Sequence, residues 1–145
     1  LLACATMPMK ICPIVEARYA SSALTARSFT LESIELARYM VDVVEDKKAE
    51  DILLLDLRPD AIIADYFVIC TGNSDRQLRA LADGVREQVK EKYSKLPFSV
   101  EGRPESGWVL MDYGNIVVHL FQAEKRRYYD LEGMWRSAHV LLQIQ

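Results

Sequence analysis

The spacing of apolar residues along the chain changes from helical to continuous to alternating, and each change marks an element. Leu31, Ile34, Ala37, Val41 and Val44 recur at three- and four-residue spacing with Glu32, Glu35, Arg38 and Asp42 between them, the stripe of an amphipathic helix that Thr30 is placed to cap. The charged cluster Glu45-Asp46-Lys47-Lys48 reads as its solvated end. Residues 52–57 are short, aliphatic and closed by Arg58-Pro59-Asp60, which predicts a first strand. Residues 66–71 are apolar at nearly every position, as expected of a central strand covered on both faces. Gly72-Asn73-Ser74 then turns the chain into its longest helix, where Ser74 and Gln77 form a capping box and Leu78, Leu81, Ala82, Val85 and Val89 an inner stripe. After the break at Leu96-Pro97, residues 98–101 form a third strand.

Residues 108–113 and 116–121 alternate as the arms of a hairpin, joined by Gly114-Asn115 with glycine at the position a type II′ turn wants. A two-residue loop fixes the register, so Tyr113 faces Ile116, Met111 faces Val118 and Val109 faces Leu120 on one apolar side that belongs to the core. The opposite side sets Trp108, Leu110 and Asp112 against Phe121, His119 and Val117, a mixture that is either covered by a helix or reserved for a partner. Tyr128, Leu131 and Trp135 share one face of a last short helix that closes the sheet, while residues 137–145 find no place in the pattern. Helix, strand, strand, helix, three strands and a helix imply a single-domain α/β fold, a mixed β-sheet with helices packed on it.

Half of the 145 residues are apolar, enough for one domain with its own core. Eighteen Lys and Arg against 21 Asp and Glu leave a formal charge of −3, which gives no general attraction to phosphate, so little direct nucleic-acid binding is expected. Cys4, Cys12 and Cys70 form no CxxC pair, and His119 and His139 stand far apart, so neither a disulfide framework nor a zinc ligand set is written here. No apolar run approaches the roughly 18 residues a membrane span requires. Residues 1–30 hold Glu16 as their only acid, with Arg18, Arg27 and scattered serines. Three readings compete for them: an organelle transit peptide, an upstream or expression-derived extension, and an ordered arm on a neighbour.

Neither histidine lies beside a nucleophile elbow, which argues against a hydrolase and leaves no catalytic residue to name. A glycine turn entering a helix is also how proteins bind phosphate, but the lysine of a P-loop and the dinucleotide fingerprint are missing. Nucleotidyl transfer would further need two carboxylates at alternate strand positions to hold magnesium, whereas Asp56-Leu57-Arg58 and Asp112-Tyr113-Gly114 each supply one. No metal or cofactor is therefore expected. His119 reads first as a strand histidine, and Trp108, beside a loop and near an acid, as a binding anchor.

Asp46-Lys47-Lys48-Ala49-Glu50-Asp51-Ile52, Asp65-Tyr66-Phe67-Val68-Ile69 with Gly72-Asn73-Ser74 and Arg76-Gln77, Glu101-Gly102, Trp108-Val109-Leu110 with Asp112-Tyr113-Gly114, Val117-Val118-His119-Leu120-Phe121, and Tyr129-Asp130-Leu131-Glu132 with Trp135 follow one another in this order. Over residues 31–136 they resemble the ribosomal silencing factor family, also called Iojap proteins; residues 1–30 and the 137–145 tail lie outside that resemblance. The resemblance implies a nucleotidyltransferase-like fold without the enzyme activity. It also implies a protein that docks on the large ribosomal subunit through ribosomal protein fourteen, blocks subunit joining and represses translation when nutrients are short. The implied docking residues are Trp108, Leu110, Asp112, Tyr113, Gly114 and His119, with Tyr66 and Tyr129 beside them. Trp108 would be the anchor and Asp112 the partner of a basic residue, so Trp108→Ala is expected to weaken subunit binding by about 2 kcal/mol or more without unfolding the domain. The compartment implied is the bacterial cytoplasm, or an organelle matrix if residues 1–30 are a transit peptide. Two alternatives stay open beside this reading: a nucleotide-binding enzyme using the Gly72-Asn73-Ser74 turn, and a homodimer that pairs the same face when no ribosome is available.

Overall fold

The computed structural model describes residues 26–145 of the chain, with side chains from Glu32 onward; the competing readings of residues 1–25 lie outside the described residues. The order is α1 (Ala26–Asp46), β1 (Glu50–Asp56), β2 (Tyr66–Thr71), α2 (Asp75–Tyr93), β3 (Ser99–Glu101), a 3-10 turn at Pro104–Ser106, β4 (Trp108–Asp112), β5 (Ile116–Phe121), α3 (Ala123–Tyr129), α4 (Leu131–Met134) and β6 (His139–Ile144). The strands form one six-stranded sheet in the order β3-β4-β5-β2-β1-β6. Only β2 and β5 run parallel, joined by a path through α2, and the other neighbours are antiparallel, which makes the sheet mixed as the element order implies.

The central strands justify their composition. Ile52 and Leu54 of β1 with Val68 and Cys70 of β2 face α1 and α2, whereas Leu53, Leu55, Phe67 and Ile69 face the other way. Residues 52–55 of β1 and 66–70 of β2 are apolar at every position because both of their faces are covered. On the first face, Leu36, Ala37, Met40, Val41 and Val44 of α1 and Leu78, Leu81, Val85 and Val89 of α2 close over Val109, Met111, Val118 and Leu120.

Three sequence expectations change. The first helix starts at Ala26, so Thr30 lies within it rather than at its cap, and its buried stripe adds Leu36, Met40 and Val43 to Ala37, Val41 and Val44, leaving Ile34 half-buried. Leu57 has left β1, its N–H donating to the Asp65 carbonyl at 2.9 Å as the chain turns toward β2. The unplaced segment after residue 136 is the sixth strand, antiparallel to β1 with Ile144 opposite Ile52 and His139 opposite Asp56. Its register slips between Leu142 and Val140, which breaks the alternation by which a strand is read from sequence.

Candidate functional site

The hairpin forms in the register its two-residue turn dictates, with Trp108 opposite Phe121, Leu110 opposite His119 and Asp112 opposite Val117. Gly114 takes φ 92°, a left-handed conformation that glycine adopts without strain. The Gly114 N–H donates to Asp112 Oδ1 at 2.7 Å, so the carboxylate holds the turn together. Asp112 is fully buried, not held out toward a basic partner.

Trp108 is the centre of an aromatic layer on the second face of the sheet. Its indole stacks on Phe121 with ring centroids 4.9 Å apart, and Tyr129 lies 4.5 Å away on centroids. Its Nε1–H donates to His119 Nδ1 at 3.3 Å, so the neutral imidazole carries its proton on Nε2. Phe67 meets the His119 ring edge-on at 4.7 Å, and Trp135 meets Phe67 edge-on at 5.8 Å. His119 is 3 % exposed, and its Nε2 has no hydrogen-bond partner among the described residues. Burial pushes its pKa from the ordinary 6.5 down to about 3, because charging the ring there would strip an imidazolium of water.

The mixed face of the hairpin is thus covered by the chain itself, the first of the two alternatives its composition left open: Trp108 is 7 % exposed beneath Tyr129. The implied docking residues also divide between the two faces. Trp108, Leu110, Asp112, His119 and the half-buried Tyr129 belong to the second face, and Gly114 to the turn. Tyr113 and Tyr66 point into the helix-covered core instead, where burial pushes the Tyr113 hydroxyl up to about 12. The Arg58 guanidinium, paired in two-pronged fashion with Asp56, sits 4.9 Å from the centre of the Tyr66 ring. Arg58 holds the Asp56 carboxyl below the usual carboxylate range, with burial opposing it.

The second face is covered by α3 and α4 together with the β1–β2 loop, whose Leu57, Ala61, Ile63 and Ala64 pack into the same cluster as Phe67 and Trp108. In α3 and α4 the covering stretch is broken in the middle. Asp130 breaks it at φ 44°, ending α3 and accepting from the Gly133 N–H with Oδ1 at 3.2 Å to start α4. The break undoes the single helical face expected for Tyr128, Leu131 and Trp135. Tyr128 is 78 % exposed, while Tyr129 takes the inner position with Leu131 and Trp135. Arg126, one of four consecutive charged residues in Glu124-Lys125-Arg126-Arg127, ties this stretch to the sheet. Its Nη1 donates to the Asp51 carbonyl at 2.5 Å and to Thr71 Oγ1 at 2.8 Å, while Glu132 Oε1 accepts from Nε at 2.6 Å. A groove of about 700 Å³ runs beside it, lined among others by Leu53, Thr71, Arg126, Glu132 and Val140.

The glycine turn at the start of α2 is engaged by the chain's own groups. Ser74 Oγ accepts from the Gln77 N–H at 3.1 Å, and Gln77 Oε1 accepts from the Asn73 N–H at 2.7 Å. The Gln77 amide also donates to the Lys48 carbonyl at 2.8 Å, which binds the turn to the end of α1. A Cβ on Gly72 would stand 2.9 Å from Leu78 Cδ2, so close helix packing explains this glycine. The Gly72 N–H likewise donates to the Phe121 carbonyl at 2.7 Å, so the Gly72, Asn73 and Gln77 N–H groups are engaged within the chain. Among the described residues no three His, Cys, Asp or Glu side chains come together as a metal site, and no helix is long and apolar enough to cross a membrane.

Residues 30–145 match the family described as ribosomal silencing factor during starvation, a span that takes in β6 as well as the hairpin. The chain is 46% identical over 94 residues to ribosomal silencing factor RsfS of Bacillus subtilis, covering 65% of this chain and 79% of that one. It is 34% identical over 107 residues to the chloroplastic protein Iojap of Arabidopsis thaliana, covering 74% of this chain and 44% of that protein. A crystal structure of a protein from Chromobacterium violaceum superposes with a TM-score of 0.67 at 34% identity, covering 70% of this chain and 84% of that one. The hairpin, its aromatic layer and the strands that carry them therefore belong to a chain of the ribosomal silencing factor family.

Proposed function

We propose that this chain docks on the large ribosomal subunit through ribosomal protein fourteen, obstructs joining of the small subunit and lowers translation when nutrients are short. Family membership supports the ribosomal setting. The observation that carries the choice of surface is the concentration of Phe67, Trp108, His119, Phe121, Tyr129 and Trp135 on one side of the sheet, in contact with one another. Aromatic side chains supply large contact area at low entropy cost and are enriched where proteins grip one another. On this reading Trp108, Leu110, His119 and Tyr129 form the docking surface. Asp112 and Gly114 hold its hairpin in shape, and Tyr66 and Tyr113 fix that hairpin to the helical layer behind it. Exposed Tyr128, Met134 and Ile62 supply further apolar surface on the chain. A second copy pairing through this surface would compete with docking, and the chain would be found wherever its ribosomes are, in bacterial cytoplasm or an organelle.

The test is co-sedimentation of the full chain with purified large subunits, followed by addition of small subunits. Pelleting with large subunits and a lower yield of joined ribosomes is the expected result. A chain that stays in the supernatant, or that pellets without affecting joining, contradicts the proposal.

A further inference from the structure

The aromatic layer is the natural docking surface, yet the chain's own α3 and α4 lie on it. The way they lie there is unusual. No residue of α3 is fully buried, and α4 buries only Leu131. Beyond Leu131, the hold on the sheet includes Tyr129 against Trp108, Trp135 against Phe67, and the two hydrogen bonds from Arg126 Nη1 to Asp51 and Thr71. Glu132 fixes the guanidinium in the orientation that makes those bonds. Along the β1 and β6 side the stretch stands off from the sheet, leaving the groove of about 700 Å³. Beneath it, His119 Nε2–H is a fully desolvated donor with no acceptor among the described residues, an arrangement that penalises the closed state.

We propose that α3 and α4 form a strap latched by Arg126 over a concealed floor of Trp108, Phe121, His119 and Phe67, and that the floor receives an apolar loop of the ribosomal partner carrying a hydrogen-bond acceptor for His119 Nε2. The proposal rests on the docking surface argued above and adds how a buried surface is reached. The strap is anchored at both ends. Before it, the Gln122 N–H donates to the Gly107 carbonyl at 2.8 Å; after it, β6 is paired along β1. Release of the Arg126 bonds lets the middle swing without unpairing the sheet. A partner that binds only the open form gains apparent affinity in proportion to the fraction already open.

Arg126→Ala tests this directly, with Trp135→Phe as background so that Trp108 is the single indole reporter. Acrylamide quenching of Trp108 is expected to rise about two-fold or more. Affinity for purified large subunits is expected to rise about three-fold or more, a direction that simple loss of structure does not produce. Glu132→Gln, which leaves Arg126 in place but loosens it, moves both readouts the same way by less and carries the test if the alanine variant loses its circular dichroism. His119→Phe keeps a ring and removes the donor, and lowers subunit affinity about five-fold. Unchanged or weaker subunit binding by both latch variants overturns the strap. Wild-type chain that fails to pellet with large subunits overturns the docking reading instead, and quenching then decides the strap alone: a rise supports it and unchanged quenching overturns it.

Discussion

The two faces of the sheet are built to different standards. On one, helices of 21 and 19 residues lay down continuous aliphatic stripes, with Ala37, Met40 and Val44 from α1 and Leu78, Leu81, Val85 and Val89 from α2 completely removed from water. On the other, a seven-residue helix with no buried side chain and a four-residue helix with one rest, beside the β1–β2 loop, on an aromatic floor that includes a histidine. Burial of saturated carbon in a tight interior is where folding free energy comes from. A face rich in aromatics and covered by short elements is better suited to exchange part of its cover for a partner. The difference teaches that the first face sets whether the chain folds, while on the proposed docking reading the second sets what it meets.

Substitutions can break or sharpen that division. The largest effect is expected from Leu81→Ala, a cavity between α2 and the sheet, which should cost about 4 kcal/mol in urea unfolding and leave subunit affinity per folded molecule unchanged. Trp108→Ala should cost about 3 kcal/mol of stability, because its indole is packed against Phe121 and Tyr129, and also weaken subunit binding. Binding lost without any stability change would mean that Trp108 is more open in solution than its packing implies. Acid should act through His119, whose ring titrates near 6.5 in the unfolded chain and near 3 in the folded one. Its contribution is fully present above pH 6.5 and is lost as pH falls toward 3, at about 1.4 kcal/mol per pH unit in that window. His119→Phe should remove this slope from unfolding measured between pH 4 and 7. Tyr128→Ala should change stability by less than about 0.5 kcal/mol, since the side chain is largely in solvent, so any loss of subunit affinity in that variant would assign it to the interface.

Much of this architecture was legible because local chemistry left few choices. A two-residue turn with glycine first permits one hairpin register, and each cross-strand pair from Trp108 with Phe121 to Asp112 with Val117 follows from it. The start of α2 was equally plain from Ser74 and Gln77, although Gln77 spends its side chain on Asn73 and Lys48 rather than on Ser74. What escaped depends on partners distant in sequence. Sixth-strand pairing is set by β1, more than eighty positions away, and a slipped register hides its alternation. The turn in direction at Asp130, which sends Tyr128 outward and Tyr129 inward, is a backbone conformation that no apolar periodicity reports. Arg126 looked like one charge among four in Glu124-Lys125-Arg126-Arg127, and only its placement over Asp51 and Thr71 sets it apart. The docking set itself came from resemblance, and several of its residues lie under cover.

Cutting the chain after Arg136, where the recognisable motifs stop, would remove β6 and leave β1 as the margin of the sheet. Ile52-Leu53-Leu54-Leu55 would then offer an open row of amides and carbonyls flanked by aliphatic side chains, a template on which other strands polymerise. A fragment trimmed to its motifs would accumulate in inclusion bodies, so the last nine residues act as the hem that keeps the fabric from catching on its neighbours.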